Sequence, residues 1–284
     1  MKYLFYLTLL LNIPLSVAAK DSSAVKTGYA DVNGLRMYYE IHGPDKGVPL
    51  LLLHGGGSTI GTTFGRVLPA LSAGRRVIAI ELQGHGHTAD RKTPFSFEQD
   101  ADDAAALLSR LNVQQADVMG FSNGGNSAMM LAMRHPGKVR RLVVASVFYR
   151  KEGWVPRLEA MFRKADAAGM PPVLRNAYTT ASPQPDPDTF VAKLMGRLLS
   201  FKDWQPEMLR AIKQPVLVLA GNHDVATMAH TVEMYQLFPN GQLAIFPGAH
   251  GTYLGEAASL DPASNAPART AALVIEFLDA VAAK

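Results

Sequence analysis

The residues with the clearest chemical potential form the sequence Gly120-Phe121-Ser122-Asn123-Gly124, a Gly-x-Ser-x-Gly pattern. An apolar run precedes the serine and a helical run, residues 126–134, follows it, which puts Ser122 on a sharp strand-to-helix turn. Such a turn lifts the hydroxyl out of the backbone, where it can act as a nucleophile. Glycines are required because a Cβ at Gly120 or Gly124 would collide where strand and helix approach closely. Taken alone, the pattern is also typical of an ordinary tight turn.

A serine nucleophile needs a base within hydrogen-bond reach, about 2.6–3.2 Å, and a third group that orients the base. His250 is one of eight histidines and follows a predicted strand, residues 242–246, in a loop that contains glycine. Asp224 comes just past another predicted strand, residues 215–220. Because chemistry collects at the carboxyl ends of the strands in open parallel sheets, we expect Ser122, Asp224 and His250 to meet there.

The hydrophobic pattern predicts how these residues are positioned. Apolar runs of the kind buried in a parallel sheet alternate with amphipathic helical stretches, which indicates a mostly parallel sheet with helices on both faces. The alternation stops at residues 148–206, where only helical patterns occur, so we expect a helical cap inserted there. The predicted strands are residues 29–32, 35–41, 49–53, 76–80, 116–121, 141–145, 215–220 and 242–246; the predicted helices are residues 62–71, 97–111, 126–134, 155–168, 189–200 and 271–282.

Composition excludes several kinds of function. The 284 residues are 48% apolar and 18% charged, which is typical of a globular chain with a substantial core. The net charge of +4 comes from scattered basic residues, so no nucleic-acid partner is expected. The absence of cysteine rules out disulfides, thiolate catalysis and cysteine-bound zinc. His85 and His87 are spaced like a metal pair but lack an evident third ligand, so they favour a turn near the site, with neither metal nor cofactor.

The N-terminus has the pattern of a secretory signal. Residues 1–19 combine a basic start, a short apolar core and small residues at the end, which predicts cleavage after Ala18 or Ala19. An uncleaved anchor is the alternative, but the apolar run is short for a span of about 20 residues and Pro14 interrupts it. Residues 20–28 are expected to form a flexible leader. The mature protein is therefore predicted to be secreted or periplasmic, without a stable membrane anchor.

From about residue 29 to the end, the chain resembles the α/β-hydrolase superfamily. The resemblance rests on His54-Gly55-Gly56-Gly57 after the third strand, Gly120-Phe121-Ser122-Asn123-Gly124 after the fifth, Asp224 after the seventh and His250 after the eighth. The sequence from Glu81 to Thr88 is similar to the family's Asp-x-x-Gly-x-Gly-x-Ser turn, with Glu and Thr in the outer places. The resemblance implies an eight-stranded α/β-hydrolase fold over residues 29–284 with a cap at about 148–206.

The same resemblance implies a mechanism. Ser122 attacks an acyl carbonyl, His250 takes its proton, and Asp224 holds the imidazole. The oxyanion is expected to bind the backbone N–H of Asn123 and that of Gly56, with Gly57 as the alternative donor. The implied reaction is hydrolysis of a small carboxylic ester or lactone; amide hydrolysis, C–C hydrolysis and cofactor-free perhydrolysis could use the same triad.

The predicted cap bears on the substrate. Phe121, Phe148 and Trp154 are candidates for substrate contact, and further aromatic residues of the cap could line an apolar pocket or form the cap's own small core. A different class of function, a non-catalytic binding protein on a hydrolase scaffold, would have no need of all three of Ser122, Asp224 and His250. Oligomeric state is left open by the sequence.

Overall fold

A computed structural model describes residues 25–280. The predicted signal peptide, residues 1–19, lies outside the described residues, as does most of the predicted leader. Among residues 25–280, no helix has the length and apolar character needed to cross a bilayer.

Within residues 25–280, eight strands form one sheet in the order β1-β2-β4-β3-β5-β6-β7-β8. The hairpin β1-β2 is antiparallel and β2 pairs antiparallel with β4, whereas all strands from β3 to β8 run parallel. The expected mostly parallel sheet is thus confirmed. The strands are β1 (Lys26–Val32), β2 (Leu35–His42), β3 (Leu50–Leu53), β4 (Val77–Ile80), β5 (Ala116–Phe121), β6 (Val139–Ala145), β7 (Val216–His223) and β8 (Gly241–Ala249).

The centre of the sheet is apolar on both faces because helices cover both. All four leucines of β3 are 0% exposed, and β3 lies between β4 and β5. Two apolar layers result, one on each side of the sheet. The helices are α1 (Ile60–Phe64), α2 (Leu68–Ser72), α3 (Phe97–Arg110), α4 (Asn123–Arg134), α5 (Leu158–Lys164), α6 (Pro172–Ala181), α7 (Pro187–Leu199), α8 (Pro206–Arg210), α9 (Met228–Leu237) and α10 (Ala266–Asp279).

Helices α5 to α8 lie between β6 and β7 and form the cap. A buried ion pair ties the cap to the rest of the domain: Arg197 Nη1 of α7 lies 3.0 Å from Asp100 Oδ2 of α3. The Arg197 guanidinium also lies over the rings of Phe95 and Phe97, at 5.2 and 5.0 Å. Asp100 Oδ2 in turn accepts a hydrogen bond of 2.7 Å from Ser127 Oγ on α4. The cap is therefore fastened to the helix that begins at the Gly-x-Ser-x-Gly turn.

Some element boundaries differ from the predicted ones. β1 begins at Lys26, within the predicted leader, because the hairpin ladder continues until Lys26 pairs with Ile41. The predicted helix over residues 62–71 is two short helices, since α2 restarts beside Pro69, which has no N–H to extend α1. Helices α6 and α9 were not predicted; the apolar residues of α9 do not gather on one face.

Candidate active site

Ser122 lies between β5 and α4 in a strained backbone conformation, with φ 53° and ψ −123°. Its neighbours leave no room for side chains at the two glycines. A Cβ on Gly120 would lie 2.1 Å from the Gly124 carbonyl oxygen, and one on Gly124 would lie 2.3 Å from the carbonyl oxygens of both Leu53 and His54. The predicted collision is therefore what makes both glycines necessary. Strain of this kind costs about 1–3 kcal/mol and persists because the surrounding packing fixes it.

The structure brings the three expected side chains together at the carboxyl edge of the sheet. Ser122 Oγ lies 3.0 Å from His250 Nε2, and His250 Nδ1 lies 2.6 Å from Asp224 Oδ1. Ser122 follows β5, Asp224 follows β7 and His250 follows β8, so three separate strands deliver them. The His250 side chain is 30% exposed, whereas that of Asp224 is 1% exposed.

Asp224 accepts hydrogen bonds on both carboxylate oxygens. Oδ1 accepts from His250 and from the N–H of Val225 at 2.7 Å, while Oδ2 accepts from Ser146 Oγ at 2.5 Å and from the N–H of Gly221 at 3.0 Å. Burial alone would raise the pKa of Asp224, but the hydrogen bonds and the charge of His250 outweigh it and lower the pKa below its usual value. The carboxylate is thus held ionised and acceptor-only toward His250.

Two backbone N–H groups close to Ser122 have no hydrogen-bond partner among residues 25–280. Among residues 25–280, no hydrogen bond is accepted from the N–H of Gly56 or of Asn123. Asn123 is the first residue of α4, whose dipole favours negative charge at this end. The alternative donor, Gly57, is already engaged, because its N–H donates to His85 Nε2 at 3.1 Å. A Cβ on Gly56 would lie 2.3 Å from Asn123 Nδ2 and 2.8 Å from Leu194 Cδ1, so both side chains would have to move to admit it.

Two buried histidines support this turn as neutral rings. His54 Nε2 accepts from the Leu82 N–H at 3.0 Å, and its Nδ1 lies 2.8 Å from the Gly55 carbonyl oxygen. Burial lowers the pKa of His54 to about 4, with Arg197 adding to the effect. Burial likewise lowers the pKa of His85 well below its usual value. Each ring accepts on one nitrogen and donates from the other, a pattern that only the neutral imidazole allows.

A further contact joins the turn of residues 54–58 to the loop that carries His250. Ser58 Oγ donates to Glu256 Oε1 at 3.1 Å, across 198 residues of sequence. Glu256 also accepts from the Ala258 N–H at 2.8 Å and is 4% exposed. Burial raises the pKa of Glu256. The two loops that flank Ser122 are therefore clamped to each other.

An apolar pocket of about 260 Å³ opens beside Gly56 and Gly57, under the cap. Leu194 of α7 lies closest to the turn, because a Cβ added to Gly56 would come within 2.8 Å of Leu194 Cδ1. Lys164 and Asp166 are exposed at the pocket's rim. The remaining apolar lining side chains come from the cap: Met170, Pro171, Leu174, Val191 and Met195.

The three aromatic residues named as candidates for substrate contact do not line this pocket. Phe148 and Trp154 pack edge to face at 5.3 Å within the main core layer and do not line this pocket. Phe121 is 2% exposed, and its ring lies 4.8 Å from the His250 ring. It therefore supports the imidazole from the side. The pocket is lined by aliphatic and methionine side chains, and the cap aromatic residues fill the junction between cap and sheet.

Of the two remaining histidines near the site, one has a structural partner and the other is exposed. His87 Nδ1 lies 2.9 Å from Glu81 Oε2, within the turn that follows β4, and His223 is exposed beside Asp224. In the part of the chain that the structure describes, no cluster of three or more histidine or acidic side chains is arranged to hold a metal ion.

Three residues of the site were not identified as such from sequence. Leu194 was hidden in an ordinary amphipathic helix. Neither Ser146 nor Tyr253 belongs to a recognisable motif. The positive φ of Ser146, 58°, is the structural sign that it is special.

Comparison with known proteins agrees with this architecture. The family model described as the alpha/beta hydrolase fold matches residues 48–182. A 2-hydroxymuconate semialdehyde hydrolase of Pseudomonas putida is 31% identical over 231 residues, which cover 72% of this chain and 81% of that one. A protein with the same name from Pseudomonas sp. strain CF600 is 39% identical over 108 residues, so the match spans 37% of this chain and only 38% of the relative.

Among solved structures, the enol-lactonase from Burkholderia xenovorans LB400 superposes with a TM-score of 0.70 at 24% identity. The match covers 89% of this chain and all of that one, and at this identity it speaks for the fold alone. The sequence relatives and the sheet topology together establish the family. The chain belongs to the α/β-hydrolase superfamily.

Proposed function

We propose that this protein is a serine hydrolase that cleaves carboxylic esters or lactones through an acyl-enzyme intermediate. The observation that carries the proposal is the chain of contacts from Ser122 Oγ to His250 Nε2, 3.0 Å, and from His250 Nδ1 to Asp224 Oδ1, 2.6 Å. Both distances are those required of a nucleophile, its base and the group that orients the base.

The proposed reaction has two halves. In the first, Ser122 Oγ attacks the acyl carbon as its proton moves to His250 Nε2, and Asp224 stabilises the imidazolium. The proton then passes to the leaving alcohol as the C–O bond breaks. In the second, His250 removes a proton from water as the water oxygen attacks the acyl carbon. His250 then returns that proton to Ser122 Oγ as the bond between serine and acyl group breaks and the acid leaves. The protons balance in both halves, and the reaction requires no reactant besides water.

The N–H groups of Gly56 and Asn123 are proposed to bind the negative oxygen that develops in both halves. A preorganised donor of this kind contributes about 2.7–4 kcal/mol to the transition state. Support comes from their lack of partners among the described residues and from the start of α4 at Asn123. Gly57 is not proposed as a donor because His85 holds its N–H.

The pocket beside Gly56 supports an apolar acyl group. Its volume of about 260 Å³ and its leucine, valine and methionine lining favour an alkyl chain over a charged or strongly polar group. Gly56, one of the two proposed oxyanion donors, lines this pocket, so we propose that the acyl chain extends into it while its carbonyl carbon lies near Ser122 Oγ.

Hydrolysis of a C–C bond is the second candidate. It is favoured by the 31% identical relative, whose name gives 2-hydroxymuconate semialdehyde as the compound hydrolysed. The same three side chains could serve that reaction, so the arrangement around Ser122 does not by itself separate the two candidates.

The test is a turnover screen of the purified protein. p-Nitrophenyl esters of increasing acyl length and aliphatic lactones probe the first candidate, and 2-hydroxymuconate semialdehyde probes the second. Ser122→Ala should abolish turnover and labelling by a fluorophosphonate. Ser109→Ala, which removes an exposed hydroxyl from α3, is the matched control and should keep both. Labelled or active Ser122→Ala protein would overturn the assignment of the nucleophile; turnover of the semialdehyde alone would favour C–C hydrolysis.

A further inference from the structure

Ser146 follows β6 as Ser122 follows the neighbouring strand β5, and both have left-handed backbone conformations. Ser146 has φ 58°, is 2% exposed, and donates its own N–H to the Leu219 carbonyl oxygen at 2.8 Å. Such a conformation is costly for a residue with a Cβ. Among residues 25–280, the non-glycine residues with positive φ are Asn33, Asn112, Ser122, Ser146 and Arg157.

The strained backbone directs the Ser146 hydroxyl toward Asp224. Ser146 Oγ lies 2.5 Å from Asp224 Oδ2, the carboxylate oxygen that does not contact His250. Because the pKa of Asp224 is lowered, its carboxylate is ionised and can only accept. The Ser146 proton is therefore committed to Asp224.

Tyr253 completes the chain of hydroxyls. Its oxygen lies 2.8 Å from Ser146 Oγ and 3.3 Å from the Leu219 carbonyl oxygen. Since Ser146 has already given its proton to Asp224, the shorter contact requires Tyr253 to donate to Ser146. Burial, with the nearby charge of Asp224, raises the pKa of Tyr253 well above its usual value, which keeps the phenol protonated and able to donate. The ring is fully buried and stacks on Phe246 at 5.1 Å.

We propose that Ser146 and Tyr253 are positioning residues whose linked hydroxyls orient the Asp224 carboxylate toward His250. The inference rests on the proposed function of the triad and adds two residues to it. Hydrogen-bond contacts run from the Tyr253 hydroxyl to the Ser146 hydroxyl and on to the Asp224 carboxylate. They continue to the His250 imidazole and end at the Ser122 hydroxyl. Ser146 and Tyr253 touch neither substrate nor the reacting atoms, so they act through Asp224.

The electrostatic consequence has a definite sign. A carboxylate that loses a hydrogen-bond donor on one oxygen becomes more basic and attracts the imidazolium proton more strongly through the other. The charged groups near His250 are Asp224 and, more distantly, Glu256. Both remain when Ser146 is changed. Removal of the Ser146 hydroxyl should therefore move the acid limb of the kcat/KM profile to higher pH.

The first test is Ser146→Ala in the full-length protein, with active sites counted by fluorophosphonate labelling. A hydrogen bond to a charged group corresponds to a loss of about 10-fold to 100-fold in kcat, with KM within about 2-fold. The acid limb should shift upward by about 0.5–1 pH unit. Ser146→Gly should lose as much activity, even though glycine accepts a positive φ and relieves the strain. Full activity of Ser146→Gly would mean that backbone shape alone matters and would overturn the proposal.

The second test uses a double-mutant cycle. Tyr253→Phe keeps the ring but loses the hydroxyl, and should shift the acid limb in the same direction by a smaller amount. Because both hydroxyls act through Asp224, the double variant should be no worse than Ser146→Ala. Losses that multiply would refute a shared route. If Ser122→Ala is inactive while Ser146→Ala keeps the wild-type kcat and pH profile, the positioning role fails and the proposed function stands; if Ser122→Ala stays active, the proposed function fails first.

Discussion

The buried pair His54 and His85 should make the protein sensitive to acid. Their ring centroids are 4.9 Å apart, both side chains are almost fully buried, and each ring accepts a backbone hydrogen bond that protonation would remove. The pKa of His54 falls from 6.5 to about 4 on folding. The unfolded chain therefore binds more protons between those values, so stability is fully present above about pH 6.5 and is lost as pH falls toward about 4.

The magnitude follows from the two pKa values of His54. Between pH 7 and pH 5, the free energy of unfolding should fall by about 2 kcal/mol through this one residue. His85 contributes with the same sign, because burial also lowers its pKa. A loss of about 2 kcal/mol from His54 alone is already a substantial part of the 5–15 kcal/mol by which domains are typically stable.

The assay is urea unfolding at pH 7, 6 and 5. Buried carboxyl groups with raised pKa values, such as Glu256, contribute with the opposite sign, so the informative quantity is the difference between variant and wild type. His54→Gln removes the titrating group but keeps an acceptor for the Leu82 N–H, and should cut the loss between pH 7 and pH 5 by about 2 kcal/mol. His223→Gln, at an exposed histidine, is the control. The same pH dependence in His54→Gln and wild type would refute the reasoning.

Two further changes probe the turn and the pocket. Gly124→Ala should lower the free energy of unfolding by about 1–3 kcal/mol or more and reduce ester turnover, because its Cβ meets two backbone oxygens. Gly196→Ala, at a position of α7 with no neighbouring atoms within 4 Å of the added Cβ, should instead raise the free energy of unfolding by about 1 kcal/mol. Equal stabilities of the two variants in urea titration would contradict the packing argument. Leu194→Trp should lower kcat/KM for long acyl esters by about 10-fold or more while sparing acetate esters. Equal losses on p-nitrophenyl acetate and octanoate would mean that the pocket does not hold the acyl chain.

Much of the fold was predictable because its signals are local. The continuous leucines of β3 indicate a strand buried on both faces, and the glycines around Ser122 indicate a close strand-to-helix approach. The candidate triad could be picked out because Asp224 and His250 each come just after a strand. Parallel strands align their carboxyl ends, so position along the chain translates into proximity.

The parts that were missed depend on contacts across long stretches of sequence. Ser146 meets Asp224 across 78 residues and Tyr253 across 107, and no motif records either pairing. The side chains that line the pocket beside Gly56 were not picked out from the sequence, for a similar reason. Aromatic residues such as Phe148 and Trp154 are conspicuous in the sequence, but both are buried in the core layer. Aliphatic and methionine side chains line the pocket beside Gly56 instead.

His250 directly follows β8, so the position of its side chain depends on a strand at the edge of the sheet. β8 is the last strand in the sheet order, pairs with β7 alone, and has no residue classed as buried along its length. The proposed base therefore depends on an element that can open while the leucine-rich centre stays folded. Local unfolding of β8 would separate the His250 imidazole from the Ser122 hydroxyl, and activity would be lost while the rest of the molecule stays folded. As the denaturant concentration rises, turnover should therefore be lost before the core unfolds. Activity would then report whether this one edge of the sheet is folded.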